Sequence, residues 1–146
     1  MKKQFRLRAF DSKKYFMVMV YDKVKDLRLE ATKYDGRADI KEASNDNVLG
    51  LCHPFEKFKV LANGETIKSN QIGILRFSKK HLRTHIVFHE IMHAAFWQYR
   101  LSLPKKAEEK ADFGAMCSPK EEAFIHLAGK VYTDMIRKMY KHKYWK

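Results

Sequence analysis

Cysteine is nearly absent from this chain, with two residues in 146, Cys52 and Cys117, in no paired spacing. That excludes a disulfide scaffold and points to a reducing, cytoplasmic setting. Long apolar runs are missing as well. The longest, YFMVMVY from Tyr15 to Tyr21, falls far short of the roughly 20 residues a helix needs to cross a bilayer. The opening MKKQFRLRAF has basic residues but no apolar stretch of the kind a secretory signal requires. Acidic residues are scarce: 17 Asp and Glu stand against 30 Lys and Arg, for a formal charge of +13. No internal repeat, low-complexity tract or linker divides the chain. At 45% hydrophobic and 32% charged it reads as one globular domain spanning 1–146.

What is present is sharper. His89-Glu90-Ile91-Met92-His93 reads HEIMH, the HExxH spacing that sets two imidazoles one helical turn apart on one face. Such a pair can hold a Zn²⁺ ion through ring nitrogens. The intervening Glu90 points to a neighbouring face, where it can take a proton from an activated water. Chance produces about 0.02 such matches in a chain of this composition. From Arg83 to Leu101 no Gly or Pro interrupts the sequence, and Ile86, Val87, Phe88, Ile91, Met92, Ala94, Ala95, Phe96 and Trp97 surround the histidines. The segment therefore reads as a helix apolar on nearly every side and buried. The competing reading is a pair of hydrogen-bonded core histidines with Glu90 at a rim.

Before that helix the pattern is strand-like. FRLRAF (Phe5–Phe10), YFMVMVY and DLRLEATKY (Asp26–Tyr34) alternate or are rich in β-formers. Residues Asp35–Pro54 read as a long loop. FEKFKVLANGETIK reads as a hairpin on a two-residue Asn63-Gly64 turn, and Ile72–Phe77 as a further strand leading through SKKHL into the motif helix. After Leu101-Ser102-Leu103-Pro104, KKAEEKAD reads as a short polar helix or loop. Ser118-Pro119-Lys120-Glu121 then opens a helix to about Tyr140, with Ser118 as cap, Pro119 in the first turn and Glu121 completing a capping box. The division is strand-rich 1–78 and helical 79–146.

Two histidines leave a catalytic zinc one protein ligand short. The metzincin continuation is excluded, because Phe96 and Tyr99 stand where a Gly and a third His would be. The helix opening at Ser118 offers Glu121 and Glu122. Glu122 starts a stripe through Ile125, Gly129, Tyr132 and Ile136 and can face inward, although a helical wheel puts Glu121 nearer the middle of the apolar face. The cap explains Glu121 without a metal, and Gly129 would allow close approach to the motif helix.

The segment Glu122-Ala123-Phe124-Ile125-His126-Leu127-Ala128-Gly129 resembles the second zinc-binding helix of thermolysin-like gluzincins. With HEIMH it also resembles small metallopeptidases encoded by bacteriophages and other mobile elements, over Ile72 to about Tyr140. The resemblance implies His89, His93 and Glu122 as zinc ligands and Glu90 as general base. It departs at His126, where the gluzincin pattern has an acid. That imidazole could support a ligand, bond a substrate oxyanion or ligate in place of a glutamate.

The expected fold is α+β: a small zincin-like domain in which an N-terminal, mostly antiparallel sheet packs on a buried HExxH helix and a C-terminal helix supplies the third ligand. The expected activity is zinc-dependent peptide-bond hydrolysis in the cytoplasm of a bacterium or phage-infected host, with Ile72–Phe77 pairing to an extended substrate. Tyr132 or Tyr99 could donate to an oxyanion. His85 more simply lines the first turn, and Cys52-His53 with Cys117 is a weak second metal set. The alternative is a basic protein that binds nucleic acid through its surface and the RKMYKHKYWK tail, or one that binds a host factor, with a structural or vestigial metal.

Overall fold

The computed structural model describes residues 2–8, 13–35, 49–56, 58–103 and 119–145, with the side chains of 2, 31–35 and 119–122 outside that description. The architecture is α+β; the described residues form a mixed four-stranded sheet, a separate two-stranded ribbon and three α-helices.

Alternation builds the first two strands. In β1 (Lys2–Arg8), Phe5 and Leu7 are buried while Gln4, Arg6 and Arg8 are exposed. In β2 (Tyr15–Tyr21), Phe16, Val18 and Val20 are buried on the same face. The two pair antiparallel with Leu7 opposite Phe16 and Phe5 opposite Val18, which joins their apolar faces.

The segment Asp26–Tyr34, expected as a strand, lies instead in helix α1 (Val24–Asp35). Leu27 is fully buried and Leu29 is 60% exposed. A strand would put both on one face, whereas a helix turns them about 200° apart. Lys, Leu, Arg, Glu and Ala all favour the helix. α1 packs on the sheet opposite the main core, and Leu27 and Tyr21 are buried outside that core's cluster.

The stretch Asp35–Pro54, expected as loop throughout, closes with an edge strand, β3 (Gly50–Pro54); residues 36–48 lie outside the described ones. A ribbon of β4 (Phe58–Val60) and β5 (Thr66–Lys68) forms the expected hairpin with a different turn. Gly64 N–H donates to Leu61 C=O at 2.9 Å, and Leu61 N–H donates to Glu65 C=O at 2.7 Å. Gly64 has φ +83°, so the loop is Ala62-Asn63-Gly64 with glycine in the left-handed place, not a two-residue turn. Asn63 Oδ1 also accepts from Glu65 N–H at 3.1 Å.

Strand β6 (Gln71–Ser78) is central, parallel to β2 and antiparallel to β3, in the order β1-β2-β6-β3. Residues 72–78 are all buried, the continuous pattern of a strand covered on both faces. Its two edges are already bonded, so the expectation that Ile72–Phe77 receives a substrate strand is overturned; the strand edge beside the motif helix belongs to β3. The sheet is mixed because β2 and β6 are parallel.

After one 3₁₀ turn (Lys79–His81) comes α2 (Thr84–Arg100), which contacts β3, β6 and the last helix, α3 (Pro119–Lys141). α2 is not buried all round. Ile86, Val87, Glu90, Ile91, Ala94, Ala95, Gln98 and Tyr99 are buried, whereas His85, Phe88, His89, His93 and Phe96 are exposed. The sheet and α3 cover one side only, so apolar composition overstated the burial. On α3 the buried row is Ala128, Val131, Met135 and Met139. Its end is a Schellman closure: Tyr144 N–H donates to Met139 C=O and Lys143 N–H to Tyr140 C=O, both at 2.9 Å, with Lys143 at φ 58°. Ser118 and the KKAEEKAD segment lie outside the described residues.

Candidate metal centre

One helical turn separates His89 from His93, and the fold does the rest by leaving both on the uncovered side of α2. Their Nε2 atoms approach to 3.1 Å, with ring centroids 4.7 Å apart and planes 80° apart. Two tetrahedral zinc ligands at about 2.0–2.1 Å have their nitrogens about 3.3–3.4 Å apart. The imidazoles thus stand near the separation one cation needs, with the same ring nitrogen aimed at the same point.

Glu90 has the opposite environment. It is 8% exposed and lies against β3. Burial pushes its carboxyl above the usual range, opposed by the neighbouring His89 and by a hydrogen bond from the Cys52 backbone N–H. A Cβ on Gly50 would lie 2.9 Å from Ile86 Cγ2 and 3.1 Å from Glu90 Cγ, so a glycine is what lets β3 approach the helix here. The expectation of buried histidines and the competing reading with Glu90 at the rim both fail. The histidines face out and the carboxylate faces in.

Two open clefts flank this pair along the seam of α2 and β3. One, of about 520 Å³, is lined by Leu49, Gly50, His85, Phe88, His89, Glu90 and Met92. The other, of about 490 Å³, is lined by Leu51, Cys52, Pro54, His89, Glu90, His93, Phe96, Trp97 and Arg100. His89 and Glu90 belong to both, so the clefts form one groove with the HExxH motif at its middle and the β3 edge as a wall. Cys52 was weighed for a second metal site; burial, with Glu90 adding, instead pushes its thiol up to about 12, which disfavours the thiolate a metal binds. His53 is occupied through Nδ1, which accepts from Arg76 Nη1 at 2.8 Å.

The side chains expected to supply a third ligand, Glu122 or Glu121, lie outside the described ones. Among the described residues, no group of three or more His, Cys, Asp or Glu converges to hold a metal. Glu121 and Glu122 sit in the first turn of α3, and their side chains are outside the description. Ring contacts Phe88–Tyr132 and Phe96–Phe124 make α2 and α3 antiparallel, which sets the start of α3 beyond His93, level with the last turn of α2. The stripe continuing from Glu122 is a shoulder: Ile125 is 52% exposed and Gly129 is exposed. Gly129 does not admit α2, since nothing among the described residues lies within 4 Å of a Cβ built there. His126 is exposed. Tyr99 is buried and Tyr132 half-buried in aromatic contacts.

Sequence reasoning missed Gly50 and the β3 edge. The signal available was the triplet Leu49-Gly50-Leu51, which was absorbed into a loop rich in turn formers. No family model, curated protein or solved structure matches this chain.

Proposed function

We propose that this protein is a zinc-dependent hydrolase of zincin-like fold that cleaves peptide bonds. The observation that carries the reading is the pair of exposed histidines with Nε2 atoms 3.1 Å apart beside a buried Glu90, in the groove along the seam of α2 and β3. His89, His93 and Glu122 would hold the ion. Glu122 is preferred over Glu121 because a capping role accounts for Glu121 without a metal. Zinc, when bound, supplies a Lewis acid that polarises a carbonyl and lowers the pKa of a water.

The chain's own groups do the remaining work. Glu90 receives a proton on its carboxylate and returns it to the leaving amine. The Cys52 backbone N–H holds that carboxylate in place. The outer edge of β3 offers backbone groups for an extended substrate to pair with, and Phe96, Trp97 and Phe88 give the groove apolar walls. No helix among the described residues is long and apolar enough to cross a membrane.

Metal analysis of the purified protein by mass spectrometry, with and without His93, tests the centre, and digestion of a fluorescently labelled unfolded protein tests the activity. Glu90→Gln should keep about one zinc per chain and lose hydrolysis by at least about a hundredfold, within the ~10²–10⁴ range of general-base effects. His93→Ala should lose both. Full activity in the Gln variant would refute the base assignment, and a zinc-free wild type would refute the centre.

The charge of +13 favours one further reading, a nucleic-acid-associated protein whose metal is structural. Its binding would fall steeply with salt and ignore a chelator. Removing Arg137–Lys146 is a poor test of the tail, because Met139 is fully buried. Exchanging the exposed Lys141 and Lys143 for Glu is the usable one. Trp145 is committed to packing, with Nε1–H donating to Leu82 C=O at 2.9 Å.

A further inference from the structure

The edge of the sheet remote from the groove carries a second surface. β1 and β2 present an outer face on which Gln4, Arg6 and Arg8 are exposed and Tyr15, Met17 and Met19 are half-buried. The strand order β1-β2-β6-β3 separates β1 from β3 by three inter-strand steps, roughly 14 Å, so the surface is distinct from the candidate metal centre. Among the described residues, α1 contacts β2 and β6 on this side of the sheet, where Tyr21 is buried, while Arg6 and Arg8 stay exposed.

Two guanidinium groups converge on one ring here. Arg6 Cζ lies 4.8 Å and Arg8 Cζ 5.9 Å from the Tyr15 ring centroid, both within cation–π range. Arg8 stands directly opposite Tyr15 in the ladder, and Arg6 one pair along the same face. The nearby carboxylate of Asp134 is already engaged, accepting from the Arg8 backbone N–H and pairing with Lys138. Guanidinium groups held over a ring lose less rotamer freedom on taking a ligand, and they keep planar donor edges suited to phosphate.

We propose that the outer face of the β1–β2 ribbon binds single-stranded nucleic acid, with Arg6 and Arg8 taking phosphates and Tyr15 and Met17 lying against bases. A charge of +13 sets the sign of the partner. The half-buried ring and thioethers favour a single strand: its unstacked bases can use such apolar faces, whereas a duplex keeps its base faces stacked inside. Nothing in this assignment depends on the hydrolase reading.

The test uses the full chain and a fluorescein-labelled oligodeoxythymidylate, read by polarisation across a salt series, with a duplex of equal length and a polyglutamate peptide as competitors. Arg6→Ala/Arg8→Ala should weaken binding at least tenfold and make the salt slope shallower by about 1.4, near 0.7 for each phosphate contact on a single strand. Tyr15→Ser should weaken it by roughly five- to a hundredfold, the scale of one stacked base, and leave the slope unchanged. Circular dichroism confirms folding, and Arg6→Lys/Arg8→Lys, which keeps the charge, should restore the slope but not the full affinity. The proposal is overturned by absence of saturable binding at low salt, by wild-type affinity in the double alanine variant, by equal competition from duplex or polyglutamate, or by loss of binding only in Lys141→Glu/Lys143→Glu.

Discussion

His89 and His93 are exposed while Glu90 between them is buried, and that inversion is the main chemical statement at the scale of single residues. A solvent-facing pair of imidazoles can meet both an ion and a substrate. A carboxylate in a drier site binds a proton more readily than one in water. Cys52 feels the same environment. Its thiol rises from 9.0 to about 12, first through burial and then through the Glu90 charge. Between those two values the unfolded chain gives up the proton and the folded chain keeps it. Folding stability should therefore be untouched below about pH 9 and decline as pH rises toward 12. In a Cys117→Ser background, the urea midpoint should fall more steeply over pH 9–11 with Cys52 present than in Cys52→Ser. Iodoacetamide should alkylate folded Cys52 far more slowly than the unfolded chain. Parallel midpoints, or alkylation at the rate of a free thiol, would remove the argument.

Elements were legible where periodicity and length agreed. β1, β2, β6, α2 and α3 follow from alternation, continuous burial or helical spacing, whereas α1 was misread because Leu27 and Leu29 imitate a strand over three residues. Of the two readings Gly129 allows, close approach to α2 or a tolerated helical glycine, the described residues favour the second. It is exposed in a helix interior with open space at its Cβ. Gly129→Ala should therefore stabilise the protein by about 0.8–1 kcal/mol, seen as a higher thermal midpoint; a fall would show a contact at that site. Gly50 behaves the other way. An added Cβ would meet Ile86 Cγ2 at 2.9 Å and Glu90 Oε1 at 3.4 Å, so Gly50→Ala should cost about 1–3 kcal/mol by overpacking. It should also reduce turnover at temperatures where the variant remains folded, because the displaced group is the proposed base. Unchanged turnover would show that β3 does not position Glu90.

For the whole molecule the question is convergence. The antiparallel packing of α2 and α3 sets positions 121 and 122 beyond His93, level with the last turn of α2, and the third ligand of the proposed centre would have to reach back from there or come from outside the described residues. Glu122→Ala should release zinc to a chelator more readily than Glu121→Ala, followed by a chromogenic chelator under competition; the reverse order transfers the ligand role. The sheet's two edges also divide the molecule, a groove along β3 at one and the Arg6–Tyr15–Arg8 cluster on β1 and β2 at the other.

The amino-acid sequence by itself determined the reaction class to be tested, since HEIMH is a local pattern and one helical turn is enough to align its imidazoles. It also determined the charge and the main strand and helix periods. Only the tertiary structure decided which side of α2 meets solvent, because apolar residues surround the motif on all faces and the choice depends on where the sheet and α3 happen to pack. The edge strand was likewise a tertiary matter. β3 is a short segment with two turn-forming residues, Gly50 and Pro54, and it becomes a strand through its ladder with β6, a partner about twenty residues away in the chain that no local signal can supply.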